Sequence, residues 1–175
     1  MTGVQTCALP IYVDIPPSVL SLLNVDEKPD CLKSMVIGGE VCPREVVRSW
    51  AEKLRLVCVY GPTEATVCTS WSLCDGDWDA PLIGRPIANI QYRIMDEGGQ
   101  KSLPVGLSGE LCISGVGLCR GYLSRDEFNR ERFFTLPGNN GSNSDNGTSS
   151  TRYYRTRDRI TSLPDGNFEF VGRVD

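Results

Sequence analysis

Residues 55–64 read RLVCVYGPTE. The first six are short, apolar and rich in β-branched side chains, the pattern of a buried strand, and Gly61-Pro62 stops it. Upstream, Pro43 opens a helix, REVVRSWAEKL, with apolar residues at 46, 47, 50, 51 and 54 on one face. Before it, LKSMVI (32–37) reads as a second buried strand ending at Gly38-Gly39. Pro16 and Pro17 precede SVLSLL (18–23), which suits a short helix begun by proline. Strand, helix, strand is the unit of a parallel α/β sheet. In open sheets of that kind, ligands gather outside the carboxyl ends of the strands. The turn after Tyr60 is therefore a candidate site. Tyr60 offers a flat face for a base, Thr63 a hydroxyl, and Glu64 a hard oxygen suited to Mg2+. On these residues alone, an ordinary surface turn capped by Thr and Glu fits equally well.

Downstream of residue 66 the texture changes. VCTSWSL, NIQYRIMD, GELCIS, RITSL and FEFVG are short, partly alternating runs separated by Gly, Pro and Asp. They predict a β-rich second region, a small barrel or meander. DEFNRERFF (126–134) reads as an intervening helix, and Pro164-Asp165-Gly166-Asn167 as a hairpin turn. Residues 137–151 are of low complexity and predict an exposed flexible loop, since they hold too little apolar surface to order themselves. The domain expectation is a partial α/β subdomain over 12–66 and a β-barrel-like subdomain over 67–175. The spacing Gly115-x-Gly117-x-x-x-Gly121 departs from the dinucleotide-binding pattern and is not followed by a suitable helix.

Composition narrows the classes. The chain has 175 residues, 40% hydrophobic and 23% charged, with a net charge of −4. That is ordinary globular usage, without the basic surplus of a general nucleic-acid binder. No apolar run reaches the roughly 18 residues of a membrane span, so neither a nucleic-acid nor a membrane partner is expected. There is no histidine, which excludes a histidine base or a Ser-His-Asp relay within this chain. Eight cysteines show no C-x2-C pair. Small buried thiols in a cytoplasmic protein are the expectation, ahead of a zinc site or a disulfide framework. Residues 1–11, MTGVQTCALPI, are similar to something other than protein: the end of a common sequencing-library adapter spells them when GTG is read as the start. They are expected to be translated adapter, preceding a fragment of a longer protein, and are set aside.

Several ordered segments resemble one family. YGPTE (60–64) resembles a core motif of the adenylate-forming enzymes, in particular the adenylation domains of nonribosomal peptide synthetases. IGRPIAN (83–89), GELCISGVGLCRGY (109–122), YRTRD (154–158) and LPDGNFEFVGRVD (163–175) are similar to further motifs, in the family's order. The resemblance spans residues 12–175. It implies the C-terminal part of a large adenylation subdomain, an α/β layer followed by a small β-barrel. The implied activity joins an amino acid carboxylate to AMP from ATP and passes the acyl group to the phosphopantetheine thiol of a carrier domain.

What this implies for single residues is as follows. Gly38, Gly39 and Glu40 would line the adenine site, with Tyr60 and Gly61 against the base. Thr63 would bind phosphate and Glu64 Mg2+, the two acting as catalytic residues. Asp158 would accept both ribose hydroxyls, and Arg173 would contact ribose or phosphate. Asp175 would be the hinge for a following small domain. Val36, Gly38, Val59, Val67 and Cys68 would line the substrate pocket, with Asp14 a further candidate; their small or apolar character suits an apolar side chain and equally suits plain core. Three departures stand out. Cys58 replaces a common Asn, Cys119 an Ala, and Arg157 the Gly before Asp158. The family's phosphate loop and lysine fall outside the chain, so the fragment by itself is expected to be inactive. An acyl-CoA or aryl-acid ligase and a degenerate binding module are the alternatives.

Overall fold

The computed structural model describes residues 11–75, 81–99, 101–137 and 150–174. The hinge expectation at Asp175, and most of the adapter-like and low-complexity segments, lie outside the described residues. The elements in chain order are β1 (Tyr12–Ile15), α1 (Pro17–Leu20), β2 (Ser34–Gly38), α2 (Arg44–Ala51), β3 (Arg55–Tyr60), β4 (Ser70–Cys74), β5 (Leu82–Pro86), β6 (Ile90–Met95), β7 (Ser108–Gly115), α3 (Asp126–Arg132), β8 (Phe133–Pro137), β9 (Ser150–Ser162) and β10 (Phe168–Arg173).

The strands follow one path, β1-β2-β3-β4-β5-β10-β9-β7-β6, with β8 on the side of β9. β1, β2 and β3 are parallel, as the strand–helix–strand order predicts. α2 begins after Pro43 and sets Val47 and Trp50 into the sheet, against Met35 and Ile37 of β2 and Leu56 and Cys58 of β3. Because strand side chains alternate, Val36, Gly38, Val57 and Val59 fall on the opposite face. β4 then joins β3 antiparallel. The change of texture after residue 66 thus marks a switch from parallel to antiparallel pairing within a continuing sheet.

β5, β10, β9, β7 and β6 bend around a second core of Ile83, Ile94, Leu111, Ile113 and Ile160. Strands from both ends of this stretch, β5 and β6, contribute to that core, although among the described residues no ladder joins them. The β9–β10 hairpin turns at 163–167, where Gly166 has φ +86° and its N–H bonds the carbonyl of Leu163 at 3.0 Å.

Two local readings shift. Residues 133 and 134 extend β8, because Phe133 and Phe134 pair with Tyr154 and Tyr153 of β9; cross-strand pairing outweighs the helical pattern before it. β1, four residues with Asp14 inside, carries too little pattern to be read from sequence and is held by its parallel partner β2. Cys42, Cys58, Cys74 and Cys112 are buried free thiols. No helix among the described residues is long and apolar enough to cross a membrane.

Candidate active site

A cleft of about 310 Å³ opens at the end of β3, between the two halves of the sheet. Its walls include Gly39, Glu40, Val59, Tyr60, Gly61, Ile83, Phe170, Asp158 and Arg173. The sheet path explains the convergence. β3 delivers Tyr60 at its carboxyl end, while β9 and β10, paired so that Asp158 faces Arg173, bring the carboxylate and the guanidinium from about a hundred residues away.

Asp158 is the centre of this cleft. It is only 7% exposed, and a buried carboxylate must be paired and hydrogen-bonded to stay charged. Tyr60 donates its hydroxyl to Oδ2 at 2.5 Å, and Nη1 of Arg173 donates to Oδ1 at 2.7 Å. The Asp158 N–H is fixed by Oγ1 of Thr156 at 3.0 Å, and that hydroxyl donates to the Leu111 carbonyl at 2.8 Å. The Tyr60 phenol is pushed far above its ordinary pKa, first by burial and then by the Asp158 charge, so it remains a donor. Arg157, the departure from the glycine pattern, has φ +63°. Its N–H bonds Oε1 of Glu110 at 3.2 Å and its guanidinium pairs with Glu131 of α3. The Arg is therefore accommodated without displacing Asp158 from Tyr60 and Arg173.

The turn after β3 is a compact loop. Thr69 closes it by donating its N–H and Oγ1 to the Tyr60 carbonyl at 2.8 and 3.1 Å. Gly61 is required there: a Cβ would stand 2.2 Å from the Val67 carbonyl oxygen. Thr63–Ala65 form one 3₁₀ turn, and Thr66 and Val67 both carry positive φ, +59° and +66°. For a β-branched residue this is a strained conformation, of the kind that collects at functional loops. Gly38 meets β3 just as closely, a Cβ there falling 2.6 Å from the Val59 carbonyl oxygen.

The remaining predicted residues divide. Thr63 is exposed on the turn, the Glu64 side chain accepts the Tyr122 hydroxyl, and neither residue is part of the cleft wall. Val36 and Gly38 share the sheet face of Val59, beside Asp14, which pairs in register with Val36. Cys68 lies near Asp14, whose carboxylate adds to burial in raising the thiol's pKa. Val67 is 74% exposed, and of the five predicted pocket residues only Val59 is part of the cleft wall; Val36, Gly38, Val67 and Cys68 are not. Glu40 lines the cleft while accepting the Ser18 N–H at 3.0 Å. The sequence reading missed Tyr122, Tyr154 and Thr156, which stood inside matched segments but carried no signal of their own; β9 places Tyr154 and Thr156, and Asn129 of α3 anchors Tyr122.

The AMP-binding enzyme family matches residues 10–123. This chain belongs to that family. Among its relatives is a linear gramicidin synthase of Brevibacillus parabrevis, 43% identical over 163 residues, 93% of this chain and 2% of that protein. Bacitracin synthase 3 of Bacillus licheniformis is 39% identical over 164 residues, 94% of this chain and 2% of that protein. The chain thus spans a small part of the curated relatives it matches. Among solved structures, holo-PA1221, an NRPS protein containing adenylation and PCP domains, superposes with a TM-score of 0.79 at 31% identity. The match covers 94% of this chain and 28% of that one. For an AMP-binding enzyme, a buried carboxylate beside an aromatic ring at the end of β3 is chemically apt, since two carboxylate oxygens can accept a pair of vicinal hydroxyls.

Proposed function

We propose that this chain is part of an AMP-dependent ligase that activates an amino acid carboxylate with ATP as the acyl-adenylate and passes it to a carrier-protein thiol. The observation that carries the reading is Asp158, buried in the cleft and oriented through its backbone by Thr156, with Tyr60 and Arg173 on its two oxygens. Tyr60 and Gly61 would lie against adenine, with Gly38, Gly39 and Glu40 along the adenine wall. Asp158 would accept the ribose hydroxyls, exchanging its present partners for them. Arg173, itself on the surface side of that carboxylate, would reach ribose or phosphate, and Thr63 would bind phosphate. Asp175 would be the hinge. Residues 12–66 and 67–175 would be the two subdomains.

Mg2+ fits the donor set. Among the described residues no three Cys, Asp or Glu side chains converge as a metal cage, and Mg2+ is commonly held by one or two carboxylates together with substrate phosphates and water. Glu64 would hold it, and the ion would neutralise phosphate charge. The chain's own contribution is positioning and charge complementarity. Val36, Gly38, Val59, Val67 and Cys68 would form the side-chain pocket, and their small or apolar side chains would suit an apolar substrate. The relatives, named as peptide synthases, support an amino acid over an acyl-CoA or aryl-acid substrate, and the intact Asp158 arrangement favours a working site over a degenerate one.

ATP–pyrophosphate exchange by the complete gene product across a panel of amino acids tests the reading. Asp158→Asn should raise the KM for ATP roughly ten- to hundredfold, the loss of one charge-assisted hydrogen bond worth about 1.5–3 kcal/mol. An unchanged KM would remove Asp158 from the nucleotide site.

A further inference from the structure

Resting on the reading of Glu64 as the Mg2+ ligand, we propose that Tyr122, backed by Tyr154, is a positioning residue that fixes the Glu64 carboxylate for a divalent cation. The GELCISGVGLCRGY segment ends at Tyr122, and the nucleotide reading gives it no task. In the structure this segment is clamped to the turn after β3. The Cys119 N–H bonds the Glu64 carbonyl at 2.7 Å, and Oγ1 of Thr66 donates to the Gly117 carbonyl at 2.6 Å. A Cβ on Gly117 would stand 3.1 Å from the Ala65 carbonyl oxygen, so the approach is close along its length.

Within this clamp the Tyr122 hydroxyl donates to Oε1 of Glu64 and lies 3.2 Å from the Tyr154 hydroxyl. Tyr122 has its own anchors. Asn129 of α3 accepts its N–H at 2.7 Å and donates to its carbonyl at 2.8 Å. Its ring packs on Phe128 and Phe133, with centroids 4.9 and 6.1 Å away. A phenylalanine would satisfy the ring contacts alone. The hydroxyl's particular work is on Glu64: a carboxylate held at one oxygen presents the other in one direction, which spares an incoming cation the cost of ordering it.

The test compares two affinities in the complete gene product, for a non-hydrolysable ATP analogue without metal and for its Mn2+ complex, the latter by water-proton relaxation. Their ratio isolates tightening by the metal. Tyr122→Phe should lower that ratio about tenfold, or about 1.4 kcal/mol, and leave the metal-free affinity within twofold. Tyr154→Phe should lower the ratio about threefold. Glu64→Gln should abolish the tightening; if it does not, the Glu64 reading fails and the inference with it. If Glu64→Gln abolishes it while Tyr122→Phe leaves the ratio within twofold of the parent, the inference alone is overturned. A parallel loss of both affinities in Tyr122→Phe would mean a merely structural tyrosine and would also overturn it. Should Tyr122→Phe fail to fold, Tyr154→Phe decides: a threefold loss supports the proposal and an unchanged ratio refutes it.

Discussion

Arg157 offers a sharp test of the backbone that presents Asp158. Its φ of +63° is left-handed, where a side chain costs about 1–2 kcal/mol relative to glycine. Replacement by Gly relieves that strain but gives back about 0.4–1 kcal/mol through the more flexible unfolded chain. It also deletes the Glu131 ion pair, whose partners are 37% and 50% exposed and which is therefore worth about 0–1 kcal/mol. The three contributions nearly cancel, so Arg157→Gly should stay within about 1 kcal/mol of the parent. Arg157→Ala loses the same ion pair yet keeps the strain, and it should be less stable than Arg157→Gly by about 1 kcal/mol. The assay is the urea midpoint of the two variants measured side by side, where the ion-pair loss drops out of the difference. The ATP KM of Arg157→Gly should also stay within about threefold of the parent, because Thr156, Tyr60 and Arg173 hold Asp158 independently; about 0.7 kcal/mol would be a threefold change. An alanine variant as stable as the glycine variant would refute the left-handed backbone at this position and the reasoning built on it.

Gly38→Ala should destabilise by about 1–3 kcal/mol through overpacking, because its Cβ would meet the Val59 carbonyl oxygen at 2.6 Å and Cγ2 at 2.7 Å; chemical denaturation measures it. Burial pushes the Cys58 and Cys112 thiols up to about 12. Above pH 9 the unfolded chain loses these protons while the native state keeps them, so stability is full below that pH and falls as pH rises toward 12. Each thiol contributes up to about 1.4 kcal/mol per pH unit. The urea midpoint should therefore drop between pH 9 and 10, and less steeply in Cys112→Ala.

How much of this was legible in the sequence depends on the range of the interactions. β3 and its turn were legible because apolar content, a Gly-Pro stop and strand length all lie within ten residues. α2 was legible for the same reason, and the helix delivers Val47 and Trp50 to the core as its period requires. β8 was not, because Phe133 and Phe134 become strand through pairing with residues about twenty positions away. The cleft divides along the same line. Tyr60, Asp158 and Arg173 were visible as members of matched segments, but that they meet is a property of the β5–β10 and β9–β10 ladders.

Glu64 makes the point in chemical terms. Its residue type offers an acidic oxygen, and sequence can say no more than that. Whether the oxygen is aimed depends on Tyr122, 58 positions downstream, and Tyr154, 90 positions downstream. The turn that carries Glu64 is also the strained one, with Thr66 and Val67 held at positive φ by a hydrogen bond from Thr66 to Gly117. A loop under strain adopts one geometry only where surrounding contacts over-determine it, and here the segment that ends in Tyr122 adds its contacts to those of Thr69. The close fit of Gly117 against Ala65 and the hydroxyl on Glu64 are therefore two parts of one clamp. A variant that loosens the first, such as Gly117→Val, should weaken metal-dependent nucleotide binding as Tyr122→Phe does; if it left that binding intact, the strained turn would be self-sufficient and the clamp incidental.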